Sequence, residues 1–311
     1  MKTLALPNTP LTAPQIVAGM MRINTKTAAQ IQELVDSALE VGINFFDHAN
    51  VYGGYEHECE ELFAKALKWT PAQREQMILQ TKFGIVSKDG PYFDFSYAEL
   101  IRAAEGSLKA LRTDYIDIIL LHRPDALVEP EEVARAFDEL HAAGKVRHFG
   151  VSNQTPGQLE LLRRTVRQPL IANQVQLSIT HAPLIAQGVA MNMAGLDQSV
   201  SRDLGLIEYA RLNDIVLQAW SPFQAGFFTG PFIGNPEYAE LNAVIDRLAA
   251  KYGVPAEAIA TAWILRHPAK WQVVLGTTSP TRLQAAAAGA DVELTKPEWY
   301  ELYRAAGHLV P

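Results

Sequence analysis

Residues 45–54 read Phe45-Phe46-Asp47-His48-Ala49-Asn50-Val51-Tyr52-Gly53-Gly54. A short apolar run ends at the carboxylate of Asp47, and the phenol of Tyr52 and two glycines follow. Such a run suits a strand buried on both faces of a parallel sheet, and the glycines allow a sharp turn after the tyrosine. The stretch predicts a buried strand whose C-terminal end carries an acid and a phenol, where α/β proteins keep active-site loops.

Three further segments have the same organisation, an apolar run that ends at polar side chains. They are Leu79-Gln80-Thr81-Lys82-Phe83-Gly84, Ile118-Ile119-Leu120-Leu121-His122-Arg123-Pro124-Asp125 and Phe149-Gly150-Val151-Ser152-Asn153. Because the C-terminal ends of parallel strands meet at one edge of a sheet, the segments predict that Lys82 and His122 lie near Asp47 and Tyr52.

Strand-like and helix-like patterns alternate along the whole chain. The β-rich runs cover residues 16–19, 43–47, 77–81, 115–121, 146–151, 170–176, 215–219 and 272–275, and a helical pattern follows each of them. Repeated strand–helix units imply a parallel sheet, and eight of them predict a closed (β/α)8 TIM barrel formed by residues 1–311 as a single domain. The alternative, an open doubly wound sheet, usually carries a G-x-G-x-x-G turn, and none follows the first strands.

Several segments exceed a minimal barrel. Residues 87–95, 181–204 and 223–235 are predicted to be long loops, which in a compact domain are usually functional or mobile. Residues 238–252 have a helical pattern directly before that of residues 256–266, which predicts one extra helix ahead of the last barrel unit.

Composition limits the function classes. The net charge of −7 argues against sequence-independent binding to nucleic acid. The one cysteine, Cys59, forms no internal disulfide, and neither a signal-peptide core nor a membrane-spanning run is visible. We therefore expect a cytoplasmic protein with no nucleic-acid or membrane partner, and the sequence leaves open whether it is a monomer or a dimer.

If Asp47, Tyr52, Lys82 and His122 meet, they form a proton donor and an oxyanion site for a carbonyl that accepts a hydride. A nearby ammonium lowers the pKa of a phenol, a paired carboxylate orients the ammonium, and the hydride requires a nicotinamide. Each residue alone has a simpler interpretation: a helix cap, an aromatic lid, a solvated charge and a core imidazole, respectively. Their places at successive strand ends favour the catalytic interpretation.

These segments resemble the aldo-keto reductase family from about residue 15 to beyond residue 290. The matching motifs are Phe46-Asp47-His48-Ala49-Asn50-Val51-Tyr52-Gly53, Thr81-Lys82-Phe83-Gly84, Leu121-His122-Arg123-Pro124-Asp125 and Lys145-Val146-Arg147-His148-Phe149-Gly150-Val151-Ser152-Asn153. The signature from Asp47 to Tyr55 is similar to that of a bacterial oxidoreductase subgroup. The resemblance implies that Tyr52 is the general acid for carbonyl reduction, Lys82 lowers its pKa, Asp47 holds Lys82, and His122 orients the carbonyl.

The resemblance also implies the cofactor site. By position, the nicotinamide carboxamide would be held by Ser152, Asn153 and Gln174, and Trp220 would stack on the nicotinamide ring. The pyrophosphate would lie along Ser221, Pro222, Phe223 and Gly226. The adenosine end and its 2′-phosphate would bind at Gly276, Thr277, Thr278, Ser279 and Arg282.

The chain departs from the family pattern at two places. His48 stands where Thr or Ser is usual and would add a titrating group near the site. Residues 276–278 lack the Lys or Arg of many NADPH-preferring members, and Ala285 and Ala286 replace the acid and amide often found near the adenine. Arg282 remains, and a guanidinium suits a phosphate, so NADPH (NADP+) is expected, with NADH also possible.

The substrate is expected to be a small carbonyl compound, because aromatic walls suit small apolar ligands. The pocket is predicted to be lined by Arg22, Tyr55, Tyr92, Phe93, Trp220, Phe223 and Phe227. Arg22 either selects a carboxylate or forms a surface ion pair. A metal site is not expected, because His57-Glu58-Cys59-Glu60 lacks the second histidine of a zinc H-E-x-x-H motif.

Two other functions stay open on the sequence. One is a cofactor-binding sensor on the same barrel with little turnover. The other is a metal-dependent barrel hydrolase. The set of Asp47, Tyr52, Lys82 and His122 favours an NADPH-dependent reductase of aldehydes and ketones over both.

Overall fold

The computed structural model of the chain describes residues 1–87 and 90–311. Its strands are β1 (Thr3–Ala5), β2 (Thr12–Pro14), β3 (Ile16–Gly19), β4 (Phe45–Asp47), β5 (Ile78–Phe83), β6 (Ile85–Val86), β7 (Tyr92–Phe93), β8 (Ile116–Leu121), β9 (Val146–Ser152), β10 (Leu170–Gln176), β11 (Val216–Trp220) and β12 (Trp271–Leu275). Its helices are α1 (Ala28–Glu40), α2 (Glu58–Leu67), α3 (Pro71–Glu75), α4 (Tyr97–Leu111), α5 (Pro130–Ala142), α6 (Pro156–Arg163), α7 (Pro183–Val189), α8 (Leu206–Leu212), α9 (Ala239–Tyr252), α10 (Ala256–Leu265), α11 (Pro280–Ala287) and α12 (Lys296–Ala305). Short 3-10 turns lie at Ile23–Thr25, Asp197–Ser199, Pro236–Tyr238 and Ala288–Asp291.

Eight parallel strands close into a barrel in the order β3-β4-β5-β8-β9-β10-β11-β12. The last strand pairs with the first through Val273–Ile16, Val274–Val17 and Leu275–Ala18, which leaves no open edge. The predicted (β/α)8 barrel is confirmed, and all eight predicted strands are present with ends that differ by at most two residues.

Helix α1 illustrates how the sequence builds the outer layer. Thr27 caps the helix, and its side chain and that of Gln30 form a reciprocal capping box that satisfies the first free N–H groups. The helix buries one apolar face, made of Ile31, Leu34, Val35 and Ala38. Burial of that stripe against the barrel, rather than helix propensity alone, stabilises a helix of this length.

The core has two layers because alternate residues of a strand point to opposite faces of the sheet. The larger layer fills the space between strands and helices. The smaller layer lies inside the barrel and includes Val17, Phe45, Ile118, Leu120, Val216 and Val274. Leu6 and Ala13, from the hairpin of β1 and β2, pack against this inner layer. The hairpin therefore closes the end of the barrel where the strands begin.

The structure differs from the sequence prediction in the short elements. The β1–β2 hairpin was not predicted, because prolines interrupt its pattern and its strands are too short to show alternation. The predicted loop at 87–95 contains β7, which pairs with β6, while its residues 88 and 89 lie outside the described part. The predicted loop at 181–204 contains α7. The extra helix is confirmed as α9, directly before α10.

No helix in the described part of the chain is long and apolar enough to cross a membrane.

Gly289 provides a test of the packing between the last helices. A Cβ atom at this position would lie 2.3 Å from the Ala258 carbonyl oxygen and 2.6 Å from the Thr261 Cβ, both on α10. We expect Gly289→Ala to lower the free energy of unfolding by about 2 kcal/mol, because backbone must move to relieve the overlap. Urea unfolding measures this change. The control is Gly157→Ala, whose Cβ would meet no atom within 4 Å and should cost nothing. Equal stability of both variants would contradict the predicted overlap.

Candidate active site

Lys82 links Asp47 and Tyr52 at the C-terminal end of the barrel strands. Its Nζ lies 2.6 Å from Asp47 Oδ2 and 3.0 Å from the Tyr52 hydroxyl, and it also donates to the His48 carbonyl oxygen at 2.7 Å. The side chains of Lys82 and Asp47 are 0% and 2% exposed. A buried ammonium is tolerated only when it is paired and its N–H groups are satisfied. The three acceptors meet this condition.

His122 completes the predicted cluster. It follows β8, and its ring lies edge-on to that of Tyr52 with centroids 5.8 Å apart and an interplanar angle of 82°. His122 Nδ1 is buried without a hydrogen-bond partner among the described residues, while Nε2 is not enclosed. The structure thus brings together the four side chains that the sequence singled out, with Tyr52 half-buried and one imidazole nitrogen of His122 not enclosed.

The protonation states follow from burial and charge. Burial alone would lower the pKa of Lys82, but Asp47 and Tyr52 outweigh it and raise that pKa, so the ammonium stays charged. Burial raises the pKa of Tyr52, and the opposing effect of Lys82 is smaller. The expected lowering of the Tyr52 pKa is therefore not the net result: the lysine contributes in that direction, yet the side chain remains a phenol with a proton to donate.

The two histidines of the site are neutral. Burial, followed by the charges of Lys82 and Arg123, lowers the pKa of His122 well below its ordinary value. Burial and Lys82 lower the pKa of His48 to about 3. His48 is fully buried with its ring 4.6 Å from that of Phe63. The expectation that His48 adds a titrating group near neutral pH is wrong, because desolvation prevents its protonation.

Four glutamines form a hydrogen-bonded network inside the barrel below Asp47. Gln80 and Gln174 each donate to Asp47 Oδ1, at 2.6 and 3.1 Å, and both also donate to Gln218 Oε1, at 2.9 and 3.1 Å. Gln218 in turn donates to Gln272, which donates to the Pro14 carbonyl oxygen at 2.8 Å. The network satisfies the free oxygen of Asp47 and connects it to the closed end of the barrel.

Sequence reasoning missed Gln80, Gln218 and Gln272 as part of the site. The available signal was the occurrence of glutamines at inward positions of otherwise apolar strands, such as Gln80 two residues before Lys82. Gln174 was expected to bind a nicotinamide carboxamide, and in the structure its amide nitrogen is engaged by Asp47 and Gln218.

A second polar cluster lies at the ends of β9, β10 and β11. Ser152 Oγ donates to the Gln174 carbonyl oxygen at 2.8 Å and accepts from Asn153 Nδ2 at 2.7 Å. Trp220 Nε1 donates to Asn153 Oδ1 at 3.1 Å. Asn153 and Ser221 have φ values of 58° and 54°, in the left-handed region that residues other than glycine adopt uncommonly. These turns place amide and indole groups of separate strands beside one another.

The loop after β11 folds back over Trp220. Phe227 and Phe228 lie with ring centroids 6.3 and 6.5 Å from that of Trp220, and both are exposed. Phe228 was not among the predicted residues. The Gly226 carbonyl oxygen accepts from Gln176 Nε2 at 3.1 Å, which ties the loop to β10.

The predicted adenosine segment, residues 276–279, connects β12 to α11. Ser279 caps α11, its Oγ accepting from the Arg282 N–H, and the Thr281 N–H has no hydrogen-bond partner among the described residues. The Arg282 side chain is exposed and forms no ion pair within the same part of the chain. A helix N-terminus with a nearby guanidinium suits a phosphate. Ala286 is fully buried, so it does not line a nucleotide site.

Four of the other predicted pocket residues are exposed and do not bond directly to the cluster. Within residues 1–87 and 90–311, Arg22, Tyr55, Tyr92 and Phe93 make no hydrogen bond or aromatic contact with the four catalytic candidates, and all four are exposed. The Tyr55 hydroxyl instead lies 3.4 Å from Glu61 Oε2. Their place in a substrate pocket stays a prediction.

The described residues contain no group of three or more His, Cys, Asp or Glu side chains that could hold a metal ion. In the segment that begins like a zinc motif, His57 Nδ1 lies 2.6 Å from the buried Glu60 carboxylate. Cys59 is buried on α2, and burial raises its pKa to about 11. A thiol with such a pKa is a poor nucleophile.

Comparison with known proteins finds similarity to aldo-keto reductases in both sequence and structure. Residues 15–306 match the model of the Aldo/keto reductase family. A 6-dehydroglucose reductase of Agrobacterium fabrum is 33% identical over 303 residues, covering 94% of this chain and 94% of the relative. The oxidoreductase YdhF of Escherichia coli is 35% identical over 292 residues, covering 92% of this chain and 90% of the relative. A crystal structure of a thermostable aldo-keto reductase with the inhibitor epalrestat superposes with a TM-score of 0.74 at 22% identity, covering 98% of this chain and 100% of the other.

The pH dependence of unfolding tests whether His48 is buried and neutral. Its pKa of about 3 in the folded state lies below the ordinary value of 6.5, so the unfolded chain binds a proton that the native state does not. The free energy of unfolding therefore has its full value above pH 6.5 and decreases as the pH falls from 6.5 toward 3. At about pH 5 the decrease is about 2 kcal/mol. We expect His48→Thr to reduce the difference between urea unfolding at about pH 7.5 and about pH 5 by that amount. An unchanged difference would mean that His48 is not buried and neutral.

Proposed function

The chain belongs to the aldo/keto reductase family, and we propose that this oxidoreductase reduces small aldehydes and ketones to alcohols with NADPH. One observation carries the proposal: Lys82 Nζ contacts both Asp47 and the Tyr52 hydroxyl, while the phenol proton remains free for a ligand. An acid held in this way suits proton transfer to a carbonyl oxygen that gains negative charge during reduction.

The bound nicotinamide would supply the hydride. The Tyr52 hydroxyl would donate its proton to the carbonyl oxygen. Because Lys82 Nζ donates to the Tyr52 oxygen, it would stabilise the phenolate that forms, and this effect exists mainly in the transition state. The neutral His122 would donate a hydrogen bond from Nε2 to the same carbonyl oxygen and orient it.

Asp47 would keep Lys82 charged and in place. Its Oδ2 accepts from Lys82, and its Oδ1 accepts from Gln80 and Gln174. With both oxygens engaged, the carboxylate has one orientation, and the ammonium is directed at the phenol. Precise placement of this kind contributes more to catalysis than charge alone.

The cofactor would lie across the ends of β9 to β12. Its carboxamide would bind Ser152, Asn153 and Gln174, and its ring would stack on Trp220. The pyrophosphate would follow Ser221, Pro222, Phe223 and Gly226, and the adenosine phosphate would bind Gly276, Thr277, Thr278, Ser279 and Arg282. The uncapped N–H of Thr281 and the exposed Arg282 support this assignment, since both suit an anion.

The substrate would enter beside Trp220 and Phe227, whose rings lie 6.3 Å apart. The proposal includes one catalytic barrel domain of residues 1–311 acting in the cytoplasm, which the single buried thiol of Cys59 supports. Relatives named 6-dehydroglucose reductase make sugar-derived aldehydes a reasonable part of a first substrate panel.

Tyr52→Phe tests the proposed acid. We expect normal NADPH binding, measured by fluorescence titration, and a loss of kcat on the order of 100-fold or more, measured by NADPH absorbance with a panel of aldehydes. The control is Tyr300→Phe, an exposed tyrosine on α12 far from the site. Retention of full activity in Tyr52→Phe would refute the assigned acid. Binding of NADPH by the wild-type protein without consumption of any carbonyl would favour the sensor function.

Arg282→Gln tests the cofactor preference. If the guanidinium binds the 2′-phosphate, the variant should bind NADPH about tenfold more weakly and NADH with unchanged affinity. Arg304→Gln, an exposed arginine on α12, controls for net charge. Equal weakening for both nucleotides, or for neither, would remove Arg282 from the phosphate site.

A further inference from the structure

Arg123 has no assigned role, yet it lies in the candidate active site. It directly follows His122, and its Cζ lies 5.6 Å from the centre of the Trp220 ring. Burial lowers its pKa, and the nearby Tyr52 phenol acts in the opposite direction. The guanidinium therefore lies next to the proposed carbonyl-orienting histidine in the chain and close to the proposed nicotinamide-stacking ring.

The charge of Arg123 is not neutralised within the described part of the chain. Its half-buried side chain forms no hydrogen bond or ion pair there, and none of its nitrogens is among the buried atoms that lack a hydrogen-bond partner. The nearest acid along the chain is Asp125. Its carboxylate oxygens accept hydrogen bonds from the Phe95 and Leu127 N–H groups, at 3.0 and 2.8 Å, and not from Arg123. Arginine is almost never fully buried without a charged partner, so a ligand that covers this half-buried guanidinium needs an anionic group to pair with it.

We propose that Arg123 binds an anionic group of the substrate, so that the enzyme prefers carbonyl compounds that carry a carboxylate near the aldehyde or ketone. The guanidinium presents several N–H donors in a plane that matches a carboxylate. Its place directly after His122, whose ring lies 5.8 Å from that of Tyr52, and 5.6 Å from the Trp220 ring would put the anion near the reacting carbonyl. This inference rests on the proposed reductase activity.

Arg123 suits this role better than Arg22, the arginine for which the sequence suggested it. Arg22 is exposed, and among the described residues its side chain forms no hydrogen bond or cation–π contact with Tyr52, His122 or Trp220. An ion pair in a half-buried site is less screened by water and salt than one on the surface. The half-buried guanidinium of Arg123 is therefore better suited to a selective contact with a carboxylate than the exposed one of Arg22.

The test compares 2-, 3- and 4-carboxybenzaldehyde with their methyl esters, which keep the aldehyde and ring and remove the charge. In the wild-type enzyme, kcat/KM for at least one acid should exceed that for its ester. Arg123→Gln should lower kcat/KM for that acid about 10- to 100-fold and leave the ester nearly unchanged. Arg123→Lys should keep part of the preference, because it retains the charge without the planar donor pair. Arg304→Gln is the control for net charge.

Other outcomes separate the possible failures. If the wild-type enzyme reduces esters as fast as acids, or if Arg123→Gln slows both equally, Arg123 does not select an anion and the inference is overturned while the reductase stands. If Arg123→Gln weakens NADPH binding in a fluorescence titration without changing the acid-to-ester ratio, the anion is a cofactor phosphate and the inference is again overturned. If NADPH binds but no aldehyde is consumed by the wild type, the proposed function itself fails.

Discussion

The buried ion pair of Lys82 and Asp47 is the interaction on which the site depends. A buried ammonium costs several kcal/mol unless acceptors surround it, and three oxygens accept from Lys82 Nζ at 2.6 to 3.0 Å. The carboxylate needs donors for the same reason, and Gln80 and Gln174 provide them. Inside the barrel, polar side chains therefore form one connected network of glutamines, Asp47 and Lys82, and the other interior residues are apolar. The position of Lys82 in this network determines where the Tyr52 hydroxyl can accept its hydrogen bond.

The sequence was sufficient for the barrel and for the four clustered side chains because both depend on local patterns. Apolar runs of suitable length identify parallel strands, and the end of a run locates each polar residue. The glutamine network could not be predicted in the same way, since Gln80 and Gln218 meet only after the barrel has closed. The net shift of the Tyr52 pKa was also inaccessible, because it depends on how far burial outweighs the effect of Lys82.

Arg123 shows a second limit of sequence reasoning. In the sequence, Arg123 is simply part of the motif that contains His122, and nothing there indicates a separate role for its charge. Only the three-dimensional structure shows that Asp125 is occupied by backbone N–H groups and that Trp220, about a hundred residues away in sequence, faces the guanidinium. The two ends of the barrel thus differ: one holds the Arg123 guanidinium, which has no ion-pair partner in residues 1–87 and 90–311, and the other is closed by the β1–β2 hairpin.

The closing hairpin has a consequence for synthesis on the ribosome. Among the described residues β3 pairs with β4 and with β12, and β12 follows it by about 250 residues in the sequence. Until β12 emerges, Leu6 and Ala13 have no complete interior to cover, and the Pro14 carbonyl lacks its Gln272 partner. The nascent chain must hold β3, the first strand of the barrel, unpaired on one edge until β12 has been made, and contacts of such long range also make refolding slow.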